Sequence, residues 1–344
     1  IYANHTTNSY SNTADGIAMA YNAGCELSNM EFIQFHPTTL ENSNILISES
    51  ARGEGGYLVN KDGKRFIDEL KPRDEVSRAI YEYINKDHKV YLDLRHLGLD
   101  KIKEVMPQER TLALEFSNVK LESELLAITP AAHYSMGGIK TDINCKTNIS
   151  NLYACGECAQ SFIHGANRLG GNSLLEIVTF GKVAGINASK EAQIMDDFIS
   201  SNNKQFEKDK GLIEDIYSLP NKISFYQKKD YLGHLLFEDL GLFRSESKMK
   251  NLLNKIDEIT KDLPKMGIGD KSKEFNRNLV EFIEFKNSLE VSKIATLCAI
   301  NRKESRGSHY RVDYPNIEKE FEKCSLILKN DDLMKISFEE LLWN

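Results

Sequence analysis

Five short stretches hold most of the residues able to do chemistry. They are QFHPTTL (34–40), SESARGEGG (48–56), KPRDEVSRA (71–79), PAAHYSMGG (130–138) and IHGANRLGGNSLLE (163–176). Each has a structural explanation when taken alone. His36 before Pro37 ends a strand, His133 sits in a core, Arg73 pairs with Asp74, and Arg168 is a surface side chain. As a set they suit a pocket for a small dianion. Arginine offers a two-pronged fork to a carboxylate, and histidine and serine add further donors. Gly170–Gly171 lets backbone approach a flat or charged ligand, which a Cβ would block. The amides after it, near Ser173 and Leu174, open a helix whose positive end favours negative charge.

The elements that must position these residues follow from pattern. The 344 residues carry a net charge of −7 and are 41 % hydrophobic, a globular composition with length for two or three packed units. The acidic balance argues against a nucleic-acid partner. No stretch approaches the roughly 20 apolar residues of a membrane span. Residues 13–24 read as an Ala-rich helix, and 31–35 as a strand leading to His36–Pro37. Around Asp62–Gly63, residues 57–67 read as a hairpin. A helix capped by Asp74 carries Val76, Ala79, Ile80, Tyr83 and Ile84 on one face. Strands are expected at 90–94 and 151–155. The helix after Gly171 is apolar nearly all round (Leu174, Leu175, Ile177, Val178, Phe180, Val183, Ile186), which predicts a buried helix. After about Ser200 the chain turns to charged helices. One stripe runs from Met249 to Leu263 and another from Phe275 through Leu279, Phe282 and Phe285 to Leu289. The six cysteines are scattered. Cys155 and Cys158 lack a second ligand pair for zinc and read as small buried residues at a strand end.

The same motifs, in order, resemble the flavoprotein subunits of succinate dehydrogenase and fumarate reductase. QFHPT, SESARGEGGYL, KPRDEVSRA, YLDLRHLG, AHYSMGGI, LYACGECA, HGANRLGGNSLLE and KESRGSHYRVDYP carry the likeness, densely over 1–190 and again at 302–315. The resemblance implies an α/β plus α fold. Residues 1–40 and 128–195 would form part of an FAD-binding domain, 41–127 an inserted α+β capping domain, 200–301 a helical domain and 302–344 a tail. It implies that His36, Ser48, His133 and Arg168 bind the two carboxylates of succinate or fumarate. Family members usually have threonine where this chain has Ser48, and the hydroxyl is kept. Arg73 would give and take the proton, fed through Glu49 and Arg52. Asp15, Gly156, Glu157, Gly170, Gly171, Asn172, Ser173 and Leu174 would lie against FAD. An iron–sulfur subunit, a membrane anchor and a peripheral place at the cytoplasmic face of the inner membrane are implied in the same way.

The resemblance also leaves alternatives open. L-Aspartate oxidase shares both histidines, the arginines and the ESRG segment, and PAAHY leans toward it. RLGGNSLLE and YLDLRHLG lean toward the dehydrogenase and reductase branch, since the oxidase tends to have another pair between Arg-Leu and Asn-Ser. The family's G-x-G-x-x-G start and the upstream histidine that often holds FAD covalently are absent from these residues. The expectation is therefore a fragment or half of a split enzyme that binds FAD poorly alone. A truncated, non-catalytic binding module is the third reading.

Overall fold

The computed structural model describes residues 1–86, 88–194, 203–330 and 333–340. The first elements in chain order are α1 (Asp15–Asn22), β1 (Leu27–Ser28), β2 (Ile33–Leu40), α2 (Ser50–Gly53), β3 (Tyr57–Asn60) and α3 (Arg73–Ile84). Next come β4 (Val90–Asp93), α4 (Gly98–Val105), α5 (Pro107–Ser117), β5 (Leu126–Ser135), β6 (Gly138–Lys140), β7 (Ala159–Gln160) and α6 (Asn172–Ile194). The chain continues through α7 (Asn203–Ser218), α8 (Phe225–Asp239), α9 (Glu246–Asp262), α10 (Arg277–Asn301), β8 (Cys324–Asn330) and β9 (Leu333–Glu339).

Two sheets and a helical layer organise these elements. One sheet runs β2-β5-β4-β3, antiparallel throughout. The other runs β7-β6-β1-β8-β9, with β6 and β7 parallel. Apolar residues of α3, β3, β4 and β5 form one core, including Val76, Ile80, Leu58, Leu92 and Ile128. The stripes of α8, α9 and α10 form another. There Leu236, Met249, Ile256, Phe282 and Phe285 pack with Ile33 and Phe35 of β2. The strand that carries His36 is therefore held by the helical layer on one side.

Several expectations are corrected. The strand expected to end at His36–Pro37 continues to Leu40. It does so through a register shift between His36 and Thr39, where proline's missing N–H costs no ladder bond. Of the hairpin at 57–67 only β3 forms, with one bridge from Val59 to Arg65, because β3 pairs with β4 instead. Residues 151–155 make a single bridge, Lys146 to Tyr153, rather than a strand. Asp74 does not cap α3; its carboxylate takes Arg78 at 2.8 Å and Asn167 at 2.6 Å. Phe275 is exposed just ahead of α10 and stands outside its stripe. Cys155 is half-buried and Cys158 exposed, so that pair is not a buried strand end.

Helix α6 departs furthest from expectation. Only Glu176 and Ala184 are buried on it, while Leu174, Leu175, Ile177 and Val178 are exposed. Its apolar residues occupy more faces than the described chain covers. The two strands of the tail, β8 and β9, have no counterpart in the sequence-level reading. The domain boundary expected at 195–200 lies outside the described residues.

A buried ion network ties the tail to the rest. Glu31, fully buried, accepts from Arg302 Nε at 2.6 Å and from Ser325 Oγ at 2.7 Å. Arg302 Nη1 also donates to Glu304 at 2.9 Å. Glu31→Ala would leave Arg302 buried with one carboxylate fewer. The expected loss of folding free energy, read from urea denaturation, is about 3–5 kcal/mol. A loss under about 1 kcal/mol, the scale of an exposed pair, would mean that water solvates this network.

Candidate active site

The site is built around one carboxylate. Glu49 immediately precedes the short helix α2, which sets Glu49 and Arg52 one turn apart on the same face. Glu49 Oε1 accepts from Arg52 Nη2 at 3.1 Å. Glu49 Oε2 accepts from Arg73 Nη2 at 2.6 Å and from its Nε at 3.2 Å. Arg73 is the first residue of α3, directly after Pro72, whose fixed φ suits a helix start. Both arginines are buried. Burial pushes the Glu49 carboxyl up, but hydrogen bonds and charge from Arg73 and Arg52 outweigh it and hold the pKa below its ordinary value.

Gly170 owes its identity to this carboxylate. A Cβ at 170 would stand 2.5 Å from Glu49 Oε2 and 3.4 Å from Arg73 Nη2. The glycine pair was expected to let a ligand approach the backbone; the side of Gly170 where a Cβ would stand faces the Glu49 carboxylate. Gly171 takes a positive φ of 80°, which glycine adopts without strain.

A closed ring of polar contacts fixes Arg73. Its Nη1 donates to Gln34 Oε1 at 3.0 Å. Gln34 Nε2 donates to Asn167 Oδ1 at 2.7 Å and to the Arg168 carbonyl at 2.6 Å. Asn167 Nδ2 donates to Asp74 Oδ1 at 2.6 Å, returning to the residue after Arg73. Gln34 and Asn167 were missed at the sequence level. Gln34 had a signal, because it lies two residues from His36 along a strand, on the same side.

His36 on β2 and His133 on β5 face each other with ring centroids 5.1 Å apart. The Thr38 backbone N–H donates to His36 Nδ1 at 3.3 Å, which leaves Nε2 to carry the proton of the neutral ring. His133 Nδ1 bonds the Thr7 hydroxyl at 2.8 Å; Thr7 lies in no motif. Burial, then any charge on the neighbouring His133 ring and the charges of Arg73 and Arg52, push His36 well below the usual histidine range. Burial, Arg73 and Arg168 push His133 down to about 4. Arg168 is also buried, with its guanidinium carbon 4.3 Å from the Tyr134 ring centroid. Burial and the charge of Arg73 lower its pKa.

The remaining expected residues divide. The Ser48 hydroxyl accepts from the backbone N–H and hydroxyl of Ser50, at 3.2 and 2.9 Å; no hydrogen bond joins it to the histidines or arginines. Asp15 and Glu157 line a cavity of about 450 Å³ that also reaches His133 and Tyr134. Asp15 accepts from Thr13 and Asn287, and Glu157 accepts from the Ser135 amide at 3.0 Å. Burial raises the Glu157 pKa. Gly156, with φ 77°, lets the chain turn beside Ile177 of α6. Gly170, Gly171, Asn172, Ser173 and Leu174 do not line that cavity; the last three open α6.

The depressed histidines give a direct check. The His133 ring resonances should stay at their neutral positions from pH 8 down to about pH 5 and titrate near 4. Since the folded pKa is lowered, the unfolded chain binds the proton first. The stability contribution of this ring is present above pH 6.5 and is lost as pH falls from there through about 4. Titration near 6.5 in the folded protein would mean that the ring is neither shielded from water nor faced by Arg73 and Arg168.

Known proteins carry the same arrangement of elements. A family described as "FAD binding domain" matches residues 2–174, and one described as "Fumarate reductase flavoprotein C-term" matches 229–343. The fumarate reductase flavoprotein subunit of Haemophilus influenzae is 38 % identical over 332 residues, 88 % of this chain and 55 % of its own length. The succinate dehydrogenase flavoprotein subunit of Coxiella burnetii is 38 % identical over 335 residues, 90 % of this chain and 57 % of its own. The chain thus spans little more than half the length of these relatives. A glutamate-to-glutamine variant of E. coli quinol fumarate reductase superposes with a TM-score of 0.94 at 34 % identity, over 98 % of this chain and 63 % of that one. The chain belongs to the flavoprotein family of fumarate reductase and succinate dehydrogenase.

Proposed function

We propose that these residues serve an FAD-dependent interconversion of fumarate and succinate. The carrying observation is charge in a fixed geometry. Arg52, Arg73 and Arg168 stand against the single carboxylate of Glu49, beside two histidines held neutral. Glu49 bridges Arg52 and Arg73, and among the described residues Arg168 forms no salt bridge, which leaves arginine charge in excess, the complement of a carboxylate ligand. Neutral histidines donate hydrogen bonds without adding charge. In this reading His36, His133, Arg168 and the Ser48 hydroxyl hold the carboxylates, and the burial of His36 and Arg168 strengthens their bonds.

Arg73 is the proton donor in this reading. A guanidinium normally stays protonated, with a pKa above about 12. The Glu49 bridge to Arg52 gives the proton a replacement route, so a neutral Arg73 need not persist. The donor stands at one alkene carbon and the carboxylate clamps fix the substrate against it, within hydrogen-bond reach.

The residues present fit the family's cofactor. A cavity of about 450 Å³ lies in the usual range for ligand sites, has apolar walls at Ile17, Met30 and Ile33, and presents Asp15 and Glu157 as acceptors for hydroxyls. FAD, when bound there, supplies the hydride for the second alkene carbon. The amides that open α6, near Ser173 and Leu174, and the turn glycines Gly156 and Gly171 are further proposed contacts.

The names of the relatives support the partners. A solved quinol–fumarate reductase with menaquinol molecules superposes with a TM-score of 0.94 at 34 % identity. The proposed setting is a flavoprotein subunit, with an iron–sulfur subunit and a membrane anchor, peripheral at the cytoplasmic face of the inner membrane. Among the described residues no helix is long and apolar enough to cross a membrane.

Anaerobic visible spectra of the protein with FAD, titrated with succinate and separately with L-aspartate, test the proposal. Bleaching of the flavin band by succinate alone is the expected result. Bleaching by aspartate would move the same residues to an amino-acid oxidase, and no response to either from protein shown to hold FAD would leave a binding module. Arg73→Lys keeps the charge but loses the planar fork across Glu49, and should lower turnover about 10²- to 10⁴-fold. Near-normal turnover would remove Arg73 from the proton role. Gly170→Ala should displace the Glu49 carboxylate and lower turnover at least about tenfold, with the melting temperature nearly unchanged; wild-type turnover would mean that Glu49 is dispensable.

A further inference from the structure

Arg168 presents a puzzle of orientation. Among the described residues no carboxylate pairs with it. Its Nη1 donates only to the Leu169 carbonyl, at 3.4 Å, and its Nε is buried without a partner. A guanidinium left this free has many rotamers, yet a substrate clamp must present its edge in one direction.

The missing anchor is the face of an aromatic ring. The Arg168 guanidinium carbon lies 4.3 Å from the centroid of Tyr134. That ring is itself fixed. The Tyr134 hydroxyl donates to Glu176 Oε2 at 2.6 Å, and the residue is almost fully buried. Glu176 also accepts from His164 Nε2 at 2.7 Å and Ser161 Oγ at 3.0 Å. Burial opposes its charge, but the His164 and Tyr134 hydrogen bonds hold its pKa below the ordinary value. It is one of only two buried residues on α6.

We propose that Tyr134, clamped by Glu176, is the positioning residue for Arg168 and thereby sets affinity for one carboxylate of the substrate. The ring takes the flat face of the guanidinium and leaves its N–H edge for a two-pronged bond to a carboxylate. An acidic partner would have occupied that edge and cancelled the charge. The anionic Glu176, acting through the phenol hydroxyl, polarises the ring and enriches its π face. Glu176 therefore strengthens the hold on Arg168 without touching it or the substrate.

This inference rests on the dicarboxylate reading above, and the test separates the two. Fumarate and acetate are titrated calorimetrically into the FAD-loaded protein and into Tyr134→Leu and Tyr134→Phe. The unmodified protein should bind fumarate; if it does not, the dicarboxylate reading itself fails. Tyr134→Leu should weaken fumarate about five- to thirtyfold, the span of a desolvated cation–π contact, and lose the preference over acetate. Tyr134→Phe keeps the ring but loses the hydroxyl that Glu176 holds, and should recover only part of that loss. Equal fumarate affinity in the unmodified and Leu proteins would overturn the proposal. Should the Leu variant not fold, Glu176→Gln carries the test through steady-state kinetics. It should raise KM for fumarate more than it lowers kcat, and an unchanged KM would overturn the proposal.

Discussion

Two buried guanidiniums cannot stay close without an anion between them, and the Glu49 carboxylate is that anion. Its two oxygens serve different arginines, Arg52 at 3.1 Å and Arg73 at 2.6 Å. The rest of the site follows from where this carboxylate must be. α2 is short because one turn is enough to align Glu49 with Arg52. α3 begins at Arg73 because Pro72 starts a helix there and aims its first side chain inward. A side chain at position 170 would press on the carboxylate and force it to shift. Removing one partner from such a buried set costs more than the set contributes as a whole, since a desolvated charge is left behind.

The same electrostatics keep the histidines neutral. The chain carries a net charge of −7, yet it gathers three arginines around one small region. Their field, added to burial, lowers the proton affinity of His36 and His133. A pocket that used charged histidines would change its grip across physiological pH. In the proposed reading this one draws its positive charge from arginines, which do not titrate there, and uses the rings as oriented donors.

How much of this was legible depended on range. The motif residues of the site could be read because each lies in a short stretch of unusual composition, and His36, His133, Arg52, Arg73 and Glu49 do come together. The helices α3, α9 and α10 were readable from period. What failed was long-range. Arg65 and the residues after it have strand-forming types, but β3 found a better partner in β4. The tail strands were invisible because β8 pairs with β1, some 300 residues earlier in the chain. Nothing local reveals that Glu49 ends beside Gly170. The all-round apolar character of α6 was correctly read and its burial was not, because burial depends on what else packs there.

A rigid site needs support from behind, and the loop that carries Arg168 receives it from three directions. Gln34 bonds the Arg168 carbonyl from the strand side. Tyr134 and Glu176 support the guanidinium face. The tail closes the third side. Gly307 packs so tightly that a Cβ there would stand 2.6 Å from the Ala166 carbonyl, and the Ser308 amide donates to that same oxygen at 3.0 Å. Arg78 joins these supports, since it pairs with Asp74 and donates to the Gly307 carbonyl at 3.3 Å. The buried network of Glu31, Arg302 and Glu304 then fastens the segment that holds Gly307. An apolar cluster of equal volume could be at least as stable. It would not fix the direction of a backbone turn two residues from Arg168, the arginine proposed to hold substrate, and direction is what a clamp that must hold reacting atoms in register requires.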